Sequence, residues 1–373
     1  MAPSGAPVTG ADDSFGADLY AALRGPGNLV FSPVSIAAAL RMALLGARGD
    51  TAAQLAAVLH LAGPLDAGPG LRAVSDLLGE LATGGLTLRA PDTMWVQAGL
   101  PVVPEFTAAL SHMASVTLRD ADFRQAAEQA RLQINRLIAG QTEGKITDLL
   151  APGLVTASTR LVLASAVYLK AAWAHPFPAG GTRDAPFHPA PGTSVTTAMM
   201  HVRARLRYLR GDGYQAVELP YAGGQLGMVI VLPDGPPGPV PGQLAAGGLT
   251  GLAPRQVTLT LPRFRVTSQF ALRPVLSGLG MPLAFSAGAD FSGITAAERL
   301  AISEVVHQAY IDVNEQGTEA TAATATTIMA AARILGGDPP VQLTVDRPFM
   351  YAVTGVASGL PLFLGQVTDP ARS

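Results

Sequence analysis

The chain has 373 residues, 49% of them hydrophobic and 14% charged, with a formal net charge of −2. That is enough apolar material for one large core or two ordinary ones, and too little charge of either sign for a nucleic-acid-binding field or an acidic tail. Cysteine is absent, which excludes disulfides, thiolate catalysis and cysteine-ligated metal, and leaves the redox compartment open.

Residues 1–13, MAPSGAPVTGADD, show no basic segment followed by an apolar run, so no secretory signal is visible and the sequence by itself points to the cytoplasm. They read as a disordered start, with the folded part beginning at Ser14. Ser14, Phe15, Leu19, Ala22 and Leu23 make a short amphipathic helix stopped by Gly25-Pro26. Ser32-Pro33 is an N-cap followed by a proline at the first helical position, and the helix to Gly46 is apolar nearly all round. Its apolar stretch Val34 to Ala47 is interrupted by Arg41 and too short to span a bilayer, so it reads as a core helix and membrane insertion is not expected. Thr51-x-x-Gln54 reads as a capping box opening a third helix.

Strand-like runs follow at Thr93–Gln97, Leu161–Lys170, Ala216–Tyr221, Met228–Leu232 and Val257–Leu261, then at Phe349–Val356 and Leu360–Val367. Leu161–Lys170 is almost unbroken apolar residues, as in a central strand covered on both faces. The Pro/Gly-rich stretch 233–254 is the obvious linker candidate. It is rejected as a boundary, because the strands after it bring too few amphipathic helices to close a second core and are expected to complete a sheet begun earlier.

Enzyme signatures are missing. No G-x-S-x-G element occurs; Gly355-Val-Ala-Ser358-Gly359 has its serine one position off, in a turn. Gly140-Gln-Thr-Glu-Gly144-Lys145 is one residue short of a phosphate loop and is followed by Ile146, so it reads as a helix end and turn. The six histidines, 60, 112, 175, 188, 201 and 307, lack metal-ligand spacing, and neither a metal nor a cofactor is expected. Arg203, Arg205, Arg207 and Arg210 alternate as the solvated face of a strand would.

The unusual stretch is Asn314 to Ala332. Between Glu319 and Arg333 it has no charge, proline, glycine or aromatic ring. Composition alone allows an alanine-rich helix or a linker. Extended, it places Thr318, Ala320, Ala322, Thr324, Thr326 and Ile328 on one face, small enough to slide between existing strands.

Motifs along nearly the whole chain resemble the serpin family: Asn28-Leu-Val-Phe-Ser-Pro-Val-Ser-Ile36, Asn135 with Gly144-Lys145-Ile146, Leu169-Lys170-x-x-Trp173, and Phe285-Ser-x-Gly-Ala-Asp-Phe-Ser-Gly-Ile294. In order after them come Val305-Val-His307-Gln-Ala309, Asn314-Glu-x-Gly-Thr-Glu-Ala320, Asp346-Arg-Pro-Phe349 and Pro361-Leu-Phe-Leu-Gly365. The resemblance implies an α+β fold as a single domain over 14–370, with three β-sheets, eight to nine helices and an exposed reactive-centre loop at about 317–347. It also implies a metastable fold whose five-stranded main sheet admits one more central strand, and a monomer that acts as a suicide substrate. A serine protease cleaves the loop, the loop inserts, and the acyl-enzyme is trapped. The family is often extracellular, which leaves localisation undetermined.

On this resemblance the hinge is Glu315, Gln316, Gly317, Thr318, Glu319, Ala320, Thr321, Ala322, Ala323 and Thr324, free of proline and of charge beyond Glu319, as insertion requires. The family's spacing places the cleaved bond between Ala331 and Ala332, suiting an elastase- or subtilisin-like protease; the alternative is a trypsin-like enzyme at Arg333. A non-inhibitory carrier or chaperone is the other alternative. Ser32, Ser35, Ser165 and His307 match a polar latch (shutter) under the main sheet, and Trp173 the breach at its top. Ser165 stands where the family usually has asparagine, which suggests a weaker or water-bridged latch.

Overall fold

The structure, a computed structural model, describes residues 6–82, 86–111, 113, 116–235, 249, 251–319 and 339–372. In chain order the elements are α1 (Ala6–Leu23), β1 (Leu29–Phe31), α2 (Pro33–Gly46), α3 (Gly49–Val58), α4 (Ala67–Ala82), β2 (Thr87–Arg89), β3 (Asp92–Gln97), α5 (Pro104–Leu110) and β4 (Val116–Ala121). Then come α6 (Phe123–Gln141), β5 (Leu161–Ala172), β6 (Arg183–Phe187), β7 (Val195–Gly211), β8 (Tyr214–Pro220), β9 (Leu226–Pro233), β10 (Ala253–Pro262) and β11 (Phe264–Ala271). The last are α7 (Arg273–Leu279), β12 (Glu304–Val313), β13 (Gly317–Thr318), β14 (Val341–Thr344), β15 (Phe349–Gly355) and β16 (Pro361–Val367).

The main sheet has β5 at its centre, antiparallel to β3 on one side and parallel to β12 on the other. β4 and β11 form its edges, and β2 continues the line of β3 beyond Pro91. This is the expected five-strand arrangement, and Leu161–Ala172 is its buried central strand. The C-terminal strands do complete a sheet begun earlier: β15 pairs with β9, and β16 with β1 through Leu29↔Gln366.

Two features of the architecture differ from expectation. Among the described residues there are two hydrogen-bonded sheets where three were expected, because β7, 17 residues long, pairs with β6 and β10 along one part and with β8 along another, fusing two sheets into one network. Seven α-helices are described where eight or nine were expected. Pro64–Asp66, Ala179–Gly181 and Pro282–Phe285 close only as short 3-10 turns.

The beginning of the chain also needs correction. The first helix starts at Ala6, not Ser14, so at least residues 6–13 of the segment expected to be disordered are helical. The cause is a tertiary contact. Asp12 lies 2.7 Å from Arg41 Nη2, with both side chains at most 1% exposed, and this ion pair fastens α1 to the buried helix α2. Thr51 and Gln54 do not form a capping box, because α3 begins at Gly49 with Arg48 as its N-cap. Their side chains instead accept hydrogen bonds from the backbone N–H groups of Asp290 and Leu283, tying α3 to the segment before β12. Ser32 does cap α2, accepting from the Ser35 N–H. Residues 140–145 do end α6 in a turn, with Gly144 at φ 74° donating to Ala139 O.

Truncating Asp12 strands a buried guanidinium. Asp12→Ala is therefore expected to lower stability by about 3–5 kcal/mol, measured by denaturant unfolding of the intact chain.

Candidate functional site

The central observation lies at the top of the main sheet. β5 and β12 are register partners from Val162↔Glu304 to Tyr168↔Tyr310. Above that, the two-residue strand β13 stands between them, with Thr318 opposite Val313 of β12 and Ala171 of β5, antiparallel to both. Gly317 and Thr318 thus begin a central strand, and the parallel seam below is closed.

Chemistry at each residue holds this start in place. Gly317 has φ 155°, and a Cβ there would lie 2.0 Å from Ala171 O, so only glycine passes between the strands. The Thr318 side chain is fully buried and its hydroxyl is 2.6 Å from Tyr221 Oη. Trp173 stacks on Tyr221 with centroids 4.5 Å apart, while its backbone N–H donates to Gln316 O and its indole N–H to Asn314 O. Burial opposes ionisation of Glu315, but the Arg263 guanidinium, whose Nε is 2.9 Å from both carboxylate oxygens, and the Thr182 hydroxyl outweigh it and hold the carboxyl below its ordinary range.

Glu319 turns away at φ 51°. Its carboxylate pairs with Lys145 at 2.6 Å and accepts from Tyr168 Oη; against the opposing effect of burial, these partners keep it ionised. The expected hinge residues Ala320, Thr321, Ala322, Ala323 and Thr324, and the expected scissile residues Ala331, Ala332 and Arg333, lie outside the described residues. The span 317–347 is not all exposed loop: Gly317–Thr318 lie in the main sheet, and Val341–Thr344 form β14, which is parallel to β10 and bonded to it.

Midway down the seam the structure gathers Ser32, Ser35, Ser165 and His307, all wholly buried. Ser165 and His307 are register partners across the seam. The Ser32 backbone N–H donates to His307 Nε2 at 3.0 Å, so that nitrogen is unprotonated and Nδ1 carries the hydrogen, which it gives to Ser165 Oγ at 3.0 Å. The bond between Ser165 and His307 is direct. Ser32 Oγ donates to Ser35 Oγ at 3.1 Å.

Sequence reasoning missed Asp92, the cross-strand partner of Ser165 on β3. Burial pushes its carboxyl well above the carboxylate range, against the pull of the Ser165 hydroxyl. An aspartate opening the apolar run before Met94-Trp95 was the available signal. Arg263, Tyr221, Thr182 and Lys145 were also missed as partners, because each comes from a distant part of the chain.

With this geometry in view, the comparisons with known proteins agree. The Serpin (serine protease inhibitor) family model matches residues 10–370. An uncharacterised serpin-like protein of Thermococcus kodakarensis is 39% identical over 371 residues, covering 98% of this chain and 86% of that protein. The leukocyte elastase inhibitor of Bos taurus is 35% identical over 380 residues, covering 97% of this chain and 99% of its own. The solved structure of Serpin48, described as a highly specific serpin of the insect Tenebrio molitor, superposes with a TM-score of 0.85 at 30% identity, covering 99% of this chain and all of that one. The chain belongs to the serpin family, and its fold is the mixed α+β serpin fold.

Burial lowers the His307 pKa to about 3 from an ordinary value near 6.5. The neutral ring is therefore favoured in the folded state, and its contribution is complete above about pH 6.5. It is lost as the pH falls from there toward 3, at about 1.4 kcal/mol per pH unit. The difference in unfolding free energy between the native protein and His307→Gln, measured across that window, is expected to change with this slope, the other titrating groups cancelling in the comparison.

Proposed function

We propose that the protein inhibits a serine protease as a suicide substrate: cleavage between Ala331 and Ala332 frees a strand that inserts between β5 and β12 and carries the acylated protease with it. The observation that carries this is β13, a central strand already begun and antiparallel to both neighbours. Continued one residue at a time, its register brings Thr324 opposite both Ser165 and His307, on the same face as Thr318. A threonine hydroxyl both donates and accepts, so it suits the gap that insertion opens in that hydrogen bond.

The same register brings Ala331 opposite Ser158, at the foot of the sheet. Insertion exchanges one parallel ladder for two antiparallel ones. At about 1 kcal/mol net for each added hydrogen bond, a strand of a dozen or so residues contributes on the order of 10 kcal/mol. That is comparable to the stability of many domains, and enough to distort a catalytic site.

In this proposal Glu315, Gln316, Gly317, Thr318 and Glu319 with Ala320–Thr324 are the hinge, Ser32, Ser35, Ser165 and His307 the latch, and Trp173 the anchor at the breach. The relatives named leukocyte elastase inhibitors support an elastase- or subtilisin-like target for an alanine at the bond. The protein would act as a monomer.

The test is to mix the protein with elastase, subtilisin and trypsin in turn. The expected product is an SDS-resistant complex larger than either partner with one of the first two; a complex with trypsin alone would move the bond to Arg333. Turnover as plain substrate by every protease would overturn inhibition and favour the carrier or chaperone alternative. Thr318→Arg, which places a charge where a fully buried hydroxyl now sits, is expected to abolish complex formation while cleavage continues.

A further inference from the structure

At the foot of the seam lies a cavity of about 390 Å³ remote from the hinge, the latch and the breach. One wall is the segment entering β5, with Thr156, Ser158 and Arg160; the other is the segment entering β12, with Arg299 and Ser303, and Arg273 at the start of α7 closes it. Three guanidinium groups and several hydroxyls line it, and no carboxylate does. The two walls are already joined by backbone, since Ser303 N–H donates to Leu161 O at 2.8 Å and Arg160 N–H to Ser303 Oγ at 3.1 Å.

The arginines differ in how far they are satisfied. Arg160 donates to Ala157 O and Thr159 O, and its Nε is 3.2 Å from Glu298, which Arg124 also engages. The Arg273 side chain donates to two carbonyl oxygens, Phe285 O at 3.2 Å and Ser303 O at 3.5 Å, and lies over the Phe285 ring, while its backbone N–H donates to Glu304. Arg299 is exposed and makes no hydrogen bond or ion pair among the described residues, although its charge helps hold the Asp290 carboxyl low. The cavity therefore has an excess of positive charge and unused guanidinium donors facing hydroxyl groups, a donor set suited to a tetrahedral oxyanion.

We propose that this cavity binds a small oxyanion, phosphate or sulfate, and that the bound anion pins the feet of β5 and β12 together. Because its walls belong to the two strands that insertion must separate, the anion binds the closed seam in preference to the open one and slows the last stage of insertion. This second part rests on the inhibitory mechanism proposed above; anion binding by the intact protein does not.

Calorimetric titration of the intact protein with inorganic phosphate and with sulfate, at matched ionic strength in chloride, reads the site directly. Saturable binding that weakens at least tenfold in Arg299→Gln and is unchanged in Arg205→Gln, on the exposed face of β7, is the expected result. No binding beyond the chloride control, or equal binding by Arg299→Gln, overturns the site. A sulfated polysaccharide fragment that binds through Arg299 where free phosphate and sulfate do not overturns the small anion as the ligand. The rate of insertion after cleavage, followed by Trp173 fluorescence, is expected to fall severalfold as phosphate saturates the native protein and to be indifferent to phosphate in Arg299→Gln. A rate unaffected by bound phosphate overturns the clamp while leaving the site. Absence of any complex with proteases alongside intact phosphate binding overturns the inhibitory mechanism and the clamp, and again leaves the site.

Discussion

The parallel seam between β5 and β12 is the constraint on which the rest of the structure depends. A parallel pair in the middle of a sheet is ordinarily buried and inert. Here it is split at one end by two residues that run antiparallel to both partners. Everything else of functional interest lies along that line. The Glu315–Arg263 pair and Trp173 hold the split end, the His307–Ser165 bond crosses the middle, and three arginines line a cavity at the foot.

The cluster of Ser32, Ser35, Ser165 and His307 shows how buried polar groups become directional. His307 receives the Ser32 N–H on one nitrogen and gives its proton to Ser165 with the other, so its tautomer is set by a helix entry 275 residues away in sequence. Asp92, held toward its neutral form by burial, sits on the far side of Ser165. Burial thus disfavours charge on both groups in the centre of the sheet, where an uncompensated one would be far more costly than a hydrogen bond is worth. Ser32 serves twice, as cap of α2 through its hydroxyl and as donor to His307 through its backbone.

Motifs of local origin transferred well from sequence to structure. Ser32-Pro33 predicted the entry of α2, the apolar run at Leu161 predicted the central strand, and Gly144 predicted the turn after α6. Readings failed where a distant group changed the outcome. Residues 6–13 are helical in part because Arg41 needs an acid, and Thr51 leaves its capping role because the Asp290 N–H needs an acceptor. Three expected sheets became two because one strand is long enough to join them.

The amino-acid sequence alone determined the family, the order of strands and helices, and the small, uncharged character of the segment after Gly317, because these depend on residue type and spacing. Tertiary structure decided that Gly317 passes against Ala171 O with no room for a side chain, that Asp92 lies opposite Ser165 on the neighbouring strand, and that Arg160, Arg273 and Arg299 share one cavity. Each of these joins residues far apart in the chain, and spacing along a sequence carries no information about which strands a fold will lay side by side.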